Sequence, residues 1–275
     1  MIRNTIRDTT ARNHYDAFLA GKYAWMAGGT DEQIRESTDF FRTHGIVRGA
    51  GRAAIDLGAG CGFQAIPLAR AGFAVTAVDF CGSLLDELRQ HSGSLPIVTL
   101  AEDIRNSASW TGLHPALIVC MGDTLTHLSS MAEVRDLVVQ CASQLGPGRT
   151  LVLSFRDYTR EPPEGVVVIP VRRGKEGIFL CRLEFHPGSV SVRDILYSRR
   201  NGRWGRECGE YAKIRIDPAM LNGILEAAGF SIGYLSTENG TVTIIARRET
   251  GETSRRRTAP VALPETQYSY SPVQE

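Results

Sequence analysis

Between residues 52 and about 155 the chain alternates short apolar runs with segments of helical spacing, and few folds satisfy that alternation. The runs are 53–57, 74–79, 97–100, 116–120 and 150–155, with helical patterns between most of them, at about 63–71, 83–91 and 131–145. The last helical pattern is stopped by Leu145-Gly146-Pro147-Gly148. Apolar strands joined through helices pair in parallel, and helices then cover both sheet faces. At 275 residues, 43% of them apolar, the chain is long enough to bury such a core. The expected class is α/β, a doubly wound sheet.

The flanking regions read differently. Residues 1–50 form a helical N-terminal cover: Tyr15, Phe18 and Leu19 recur at helical spacing, as do Ile34, Phe40, Phe41 and Ile46, with a break at Ala27-Gly28-Gly29-Thr30-Asp31. Residues 51–156 hold the alternating core. Residues 157–213 read as an antiparallel β insert, with strands near 166–169, 178–185 and 190–197 and turns at Arg173-Gly174-Lys175, His186-Pro187-Gly188 and Asn201-Gly202. Residues 214–248 complete the core sheet: a helix opens after Asp217-Pro218 and stops at Ala228-Gly229-Phe230, and Glu238-Asn239-Gly240 signals a hairpin between two closing strands. Residues 249–275, with Arg255-Arg256-Arg257 and several Pro, Gln and Ser, read as a disordered tail.

The sharpest local signal is Ile55-Asp56-Leu57-Gly58-Ala59-Gly60-Cys61-Gly62-Phe63, which leaves a strand and opens a helix. Glycines there let the backbone approach a ligand. A dinucleotide loop needs a third glycine where Phe63 stands, so nicotinamide chemistry is disfavoured. Asp56 would sit badly beside a pyrophosphate but suits a cationic ligand, directly or through water. Asp79 ends the second strand, where a carboxylate can take both hydroxyls of a ribose. Asp103 follows the third, where it can accept from an adenine amino group while Ile104 covers the ring. Three acidic groups at three consecutive strand ends match one adenosyl sulfonium ligand. Ala59, Phe80 and Met121 adjoin these positions and complete the candidate cofactor set.

These residues carry a resemblance. Residues 53–156 resemble the catalytic core of class I S-adenosylmethionine-dependent methyltransferases, as does Ala227-Ala228-Gly229-Phe230 before the closing hairpin. The narrower resemblance is to the glycine/sarcosine N-methyltransferase group. It rests on Gly72-Phe73-Ala74-Val75-Thr76-Ala77-Val78-Asp79, on Val119-Cys120-Met121-Gly122-Asp123-Thr124-Leu125-Thr126-His127-Leu128 and on Phe155-Arg156-Asp157-Tyr158. It implies a Rossmann-like seven-stranded sheet, mostly parallel with an antiparallel closing hairpin. It also implies S-adenosyl-L-methionine as cofactor, S-adenosyl-L-homocysteine as product and a small-molecule acceptor, the nitrogen of a small amine or amino acid.

For the acceptor side, Asp123 and His127 lie i, i+4 on one face of a short turn. In the resembling group the position of Asp123 is an Asn near the acceptor amine, the position of His127 lines the cofactor pocket, and Arg156 holds the acceptor's carboxylate. The alternative for Arg156 is a surface ion pair with Asp157, and for Asp123 a helix N-cap. Tyr15, Tyr23 and Trp25 lie in a segment resembling the cover of such enzymes, where aromatic faces can hold a sulfonium. A tyrosine of the glycine-methylating group falls on Met26 and an arginine on Gln33.

Other classes fit less well. With 31 Lys+Arg against 30 Asp+Glu there is no basic excess for nucleic acid. No stretch approaches a membrane span and the start lacks a signal-peptide core, so a cytoplasmic location is expected. Six scattered cysteines without a C-x-x-C pair give no metal site. Two rivals stay open: an enzyme that cyclises or cleaves S-adenosylmethionine itself, and a non-catalytic module that binds it. Oligomeric state is not encoded legibly.

Overall fold

The computed structural model describes residues 11–47, 49–175, 177–200 and 203–250. The Asn201-Gly202 turn, the first ten residues of the cover and positions 251–275 of the tail lie outside the described residues.

Five parallel strands form the middle of the main sheet: β1 Ala53–Leu57, β2 Ala74–Asp79, β3 Ile97–Ala101, β4 Leu117–Cys120 and β5 Thr150–Arg156. β10 (Phe230–Glu238) and β11 (Thr241–Arg248) close it, giving seven strands in the order β10-β11-β5-β4-β1-β2-β3. β11 runs antiparallel to both of its neighbours. The hairpin joining them turns at Asn239 (φ 49°) and Gly240 (φ 74°), two left-handed positions as a tight two-residue turn requires.

Alternation along each strand divides the core into two layers. Ile55, Leu57, Ile118, Leu151, Leu153 and Phe155 face α6 (Met131–Gln144) and α7 (Pro218–Ala227), meeting Leu137, Val138, Leu221 and Leu225. Ala54, Val75, Ala77, Leu117, Val119 and Val152 face α3 (Thr30–Thr43), α4 (Ala65–Arg70) and α5 (Gly82–Ser92), meeting Phe41, Leu68, Leu85 and Leu88. Two of the helices, α6 and α7, start where side chains close the first turn. Ser130 accepts from the Glu133 amide while Glu133 accepts from the Ser129 amide, and Asp217 accepts from the Ala219 and Met220 amides ahead of Pro218.

The insert is a four-stranded antiparallel sheet, β6 Val166–Gly174, β7 Gly177–His186, β8 Ser189–Arg200 and β9 Arg203–Ile214, paired in chain order. β9 is a strand the sequence pattern does not announce: Gly205 and Gly209 interrupt it and charges occur on both of its faces. The cover is also less regular than its spacing suggests. α1 (Ala11–His14) passes through one π turn, Tyr15–Leu19, and one 3-10 turn, Ala20–Lys22, into α2 (Tyr23–Met26). This wound segment packs on the insert, where Leu19 and Phe18 meet Phe179 and Leu196.

One contact ties cover to insert. His14, 2% exposed, places Nε2 at 2.9 Å from Asp194 Oδ2 on β8 and stacks on Tyr211 of β9 at 4.5 Å between ring centroids. Gly209 makes room for that imidazole, because a β-carbon there would overlap Nδ1 and Cε1 of His14. Gly209→Ala is therefore expected to lower stability by about 1–3 kcal/mol, the usual range for overpacking, in urea unfolding. An unchanged midpoint would show that the cover is not clamped this way.

Candidate active site

A cavity of about 1210 Å³ opens at the carboxyl ends of β1 to β5, closed over by the cover and by β9. This is where open α/β sheets bind ligands, at the reversal of strand order between β1 and β4. Of the residues singled out in the sequence, Gly58, Ala59, Gly60, Asp79, Phe80, Asp103, Ile104 and Met121 line it. Tyr15, Tyr23, Asp123, His127 and Arg156 line it as well.

Three sequence candidates, Trp25, Asp56 and Gly62, do not. Asp56 is 1% exposed beneath the loop, and neither carboxyl oxygen has a hydrogen-bond partner among the described residues. Burial first, then the neighbouring charge of Asp79, push its pKa up to about 8 against a weaker pull from the Ala65 amide. Gly62 (φ 91°) is a packing glycine: a β-carbon would come 2.8 Å from Leu88 Cγ of α5. Gly58 (φ 79°) is the glycine that brings the site together, since any side chain there would collide with Thr124 beyond β4.

The carboxylates differ in how many lone pairs remain. Asp79 Oδ2 accepts from the Gly60 amide and Oδ1 from the Cys81 amide, both at 2.8 Å. Each oxygen has two acceptor sites, so one on each stays open. Burial raises its pKa while those two amides oppose the shift. Asp103 is more committed: Arg105 gives it a backbone amide at 2.9 Å and side-chain bonds at 3.0 and 2.7 Å, leaving one acceptor site and holding the carboxyl below its ordinary range. Asp123 is filled. Its Oδ1 accepts from Thr126 Oγ1 and the Arg156 amide, both at 2.9 Å, and its Oδ2 from Tyr158 Oη at 3.1 Å and Lys213 Nζ. Burial would raise the Asp123 pKa, but Lys213 draws it below the ordinary value. The expectation that Asp123 receives an acceptor amine therefore meets four donors already in place.

Asp123 stands at the N-cap position of the 3-10 turn Thr124–His127 in a left-handed conformation (φ 78°), without a side-chain capping bond to that turn's amides. His127 stacks on Tyr211 at 5.4 Å and meets Tyr15 edge-on at 5.6 Å. Burial, then Lys213, lower its pKa to about 3, so it is neutral at ordinary pH. Tyr15 lies 5.8 Å from Phe80 and 5.9 Å from Tyr23, which stacks on Phe63. Burial raises both phenol pKa values, so the cluster offers uncharged aromatic faces beside Asp79.

Arg156 is exposed at the rim and pairs with no carboxylate among the described residues; Asp157 instead accepts from Thr159. Of the two positions where the sequence departs from the glycine-methylating group, Gln33 lines the cavity, and Met26 packs under the cover. The sequence reading missed Lys213, Tyr211 and Phe63, all in the cavity wall. Phe63 was legible as the residue closing the loop; Tyr211 and Lys213 depend on β9.

No protein-family model matches the chain. A glycine/sarcosine N-methyltransferase of Halorhodospira halochloris is 26% identical over 190 residues, covering 62% of this chain and 69% of that protein. The CcbJ methyltransferase of Streptomyces caelestis superposes with a TM-score of 0.73 over 87% of this chain and 99% of its own, at 20% identity. These likenesses show that the chain has the fold of class I S-adenosylmethionine-dependent methyltransferases. CalS10 of Micromonospora echinaspora, an amino pentose methyltransferase, shares this methyltransferase fold with a TM-score of 0.67 over 84% of this chain and 97% of its own, at 17% identity. No helix among the described residues is long and apolar enough to cross a membrane.

The orphaned Asp56 generates a prediction for the ligand-free protein. A carboxyl that titrates near 8 when folded and near 4 when unfolded holds more protons in the native state between those values, so stability falls as pH rises through that window. Asp56→Asn is expected to be more stable than wild type at pH 9 by at least about 1 kcal/mol, with the gain vanishing at pH 4. Parallel pH–stability curves in denaturant would contradict it.

Proposed function

We propose that this methyltransferase moves the methyl group of S-adenosylmethionine to the nitrogen of a small molecule that also carries an anionic group. The observation that carries the reading is one cavity holding both a carboxylate with two open lone pairs, Asp79, and an unpaired guanidinium, Arg156. The donor set fits an adenosyl sulfonium. Asp79 has one acceptor site for each ribose hydroxyl, and Asp103 keeps one for an adenine amino group beside Ile104. The uncharged faces of Tyr15, Tyr23 and Phe80 suit a cationic sulfur, each worth about 0.5–2 kcal/mol. Asp56 lies buried behind the loop and makes no contact with the cavity.

When bound, the cofactor would supply an electrophilic methyl carbon on positive sulfur, whose bonding pair returns to sulfur while the positive charge passes to the methylated nitrogen and is lost as a proton to water. The protein's part is positioning and exclusion of water. Arg156 holds the acceptor's anion through a planar fork, and the wound cover with β9 closes the cavity. The N-methyltransferase and amino pentose methyltransferase named above act on nitrogen-bearing small molecules in the sense their names print, which supports a small amine or amino acid here. The proposed units are the cover, the core and an insert over the acceptor side.

Two measurements test this. Asp79→Ala should weaken S-adenosylhomocysteine binding at least about tenfold by calorimetry, because buried hydroxyls lose their acceptor. A screen of metabolite extracts with methyl-labelled cofactor should yield a labelled small molecule, and Arg156→Ala should cut its formation at least about tenfold with cofactor affinity unchanged. Release of methylthioadenosine without any acceptor would instead support cleavage or cyclisation of the cofactor, and cofactor binding without any product would support a binding module.

A further inference from the structure

The acceptor side contains a buried lysine that nothing in the sequence motifs called for. Lys213 reaches from β9 to Asp123 Oδ2 and to Tyr158 Oη at 3.4 Å, its side chain only 10% exposed. Its ammonium also lies 5.8 and 5.7 Å from the Tyr158 and Tyr211 ring centres. It shares the cavity wall with Gly58 and Asp79, and the turn that carries Asp123 touches Gly58 through Thr124. The pair therefore adjoins the loop on which the proposed cofactor rests.

Two consequences follow from that geometry. The only carboxylate among the described residues at the β4 end of the cavity has all four acceptor sites occupied, by Thr126, the Arg156 amide, Tyr158 and Lys213. The charge facing an incoming group is then that of Lys213 and Arg156, not that of Asp123. A protonated amine entering there would find Asp123 filled, Glu210 of the same wall already paired with Arg193, and the two cations Lys213 and Arg156.

We infer that Lys213 is a specificity-determining residue: by sealing Asp123 it bars a cationic nucleophile, so the acceptor's reacting group is bound uncharged. This rests on the S-adenosylmethionine reading and narrows its substrate class to amines that enter as free base, or to other neutral nucleophiles carrying an anion elsewhere. His127 is consistent with this, being a neutral ring in the same wall.

The inference is testable before the acceptor is known. Sinefungin carries an amine where the transferable methyl stands, whereas S-adenosylhomocysteine carries nothing there, so the ratio of their affinities reports how the acceptor side receives a cation. Calorimetry at pH 7 on the full chain is expected to show wild type binding sinefungin no tighter than S-adenosylhomocysteine. Lys213→Met, which unseals Asp123, should tighten sinefungin at least about tenfold relative to S-adenosylhomocysteine, whose own affinity stays within about threefold. Asp123→Asn/Lys213→Met removes both charges and keeps the inference falsifiable if the single variant does not fold; its ratio should return to the wild-type value. Sinefungin binding wild type at least about tenfold tighter than S-adenosylhomocysteine would overturn the inference. So would an unchanged ratio in folded Lys213→Met, or a double variant that keeps a tightened ratio. Failure of S-adenosylhomocysteine itself to bind wild type would instead sink the cofactor reading.

Discussion

The carboxylate of Asp79 is the point on which the site depends. It ends β2 nearly buried and accepts one amide from the glycine loop after β1 and another from the entry to α5. Two strands' connections are thereby referenced to one pair of oxygens. Holding an anion there is costly, as the upward pull of burial on its pKa shows, and the two N–H bonds offset only part of that cost. A ligand that brings two hydroxyls and a nearby positive charge would offset the rest. Asp56, on the neighbouring strand β1, does not reach the cavity, and with its pKa raised to about 8 it is mostly uncharged at neutral pH.

The cavity is divided electrically along its length. At β1 to β3 the open lone pairs belong to acids, and the aromatic cluster of Tyr15, Tyr23, Phe80 and Phe63 lies beside them. At β4, β5 and β9 Asp123 is saturated, Glu210 is paired with Arg193, and the other charges in the wall are Lys213 and Arg156. A sulfonium end and an anion-bearing acceptor end are complementary to that gradient. The His14–Tyr211–His127 stack runs from cover through β9 to the β4 turn, so one aromatic column spans the three elements that close the cavity.

Much of the fold was legible because its strands are buried on both faces and therefore apolar throughout, as in 116–120 and 150–155, with helices stopped by Gly and Pro. The Asn239-Gly240 hairpin was legible because its turn demands left-handed residues. That Asp79 and Asp103 would share one cavity was legible for the same reason: positions at parallel strand ends follow from strand boundaries alone. The acceptor side was not. Lys213 and Tyr211 lie on β9, whose glycines and two-sided charges hide the alternation, one of them present to admit His14. The saturation of Asp123 comes from residues 33, 35 and 90 positions away, a distance no local pattern spans. Gly62 and Asp56 belong to the loop motif, yet neither lines the cavity: Gly62 packs on Leu88 and Asp56 is buried beneath the loop.

The central claim is that Asp79 gives its two remaining lone pairs to a ribose. A crystal structure of the protein with S-adenosylhomocysteine tests it most directly. The account predicts both ribose hydroxyls within hydrogen-bond distance of the Asp79 carboxylate, the adenine against Ile104 and the sulfur facing Tyr15. A well-ordered ligand whose ribose lies away from Asp79, or that occupies another cavity, would contradict it.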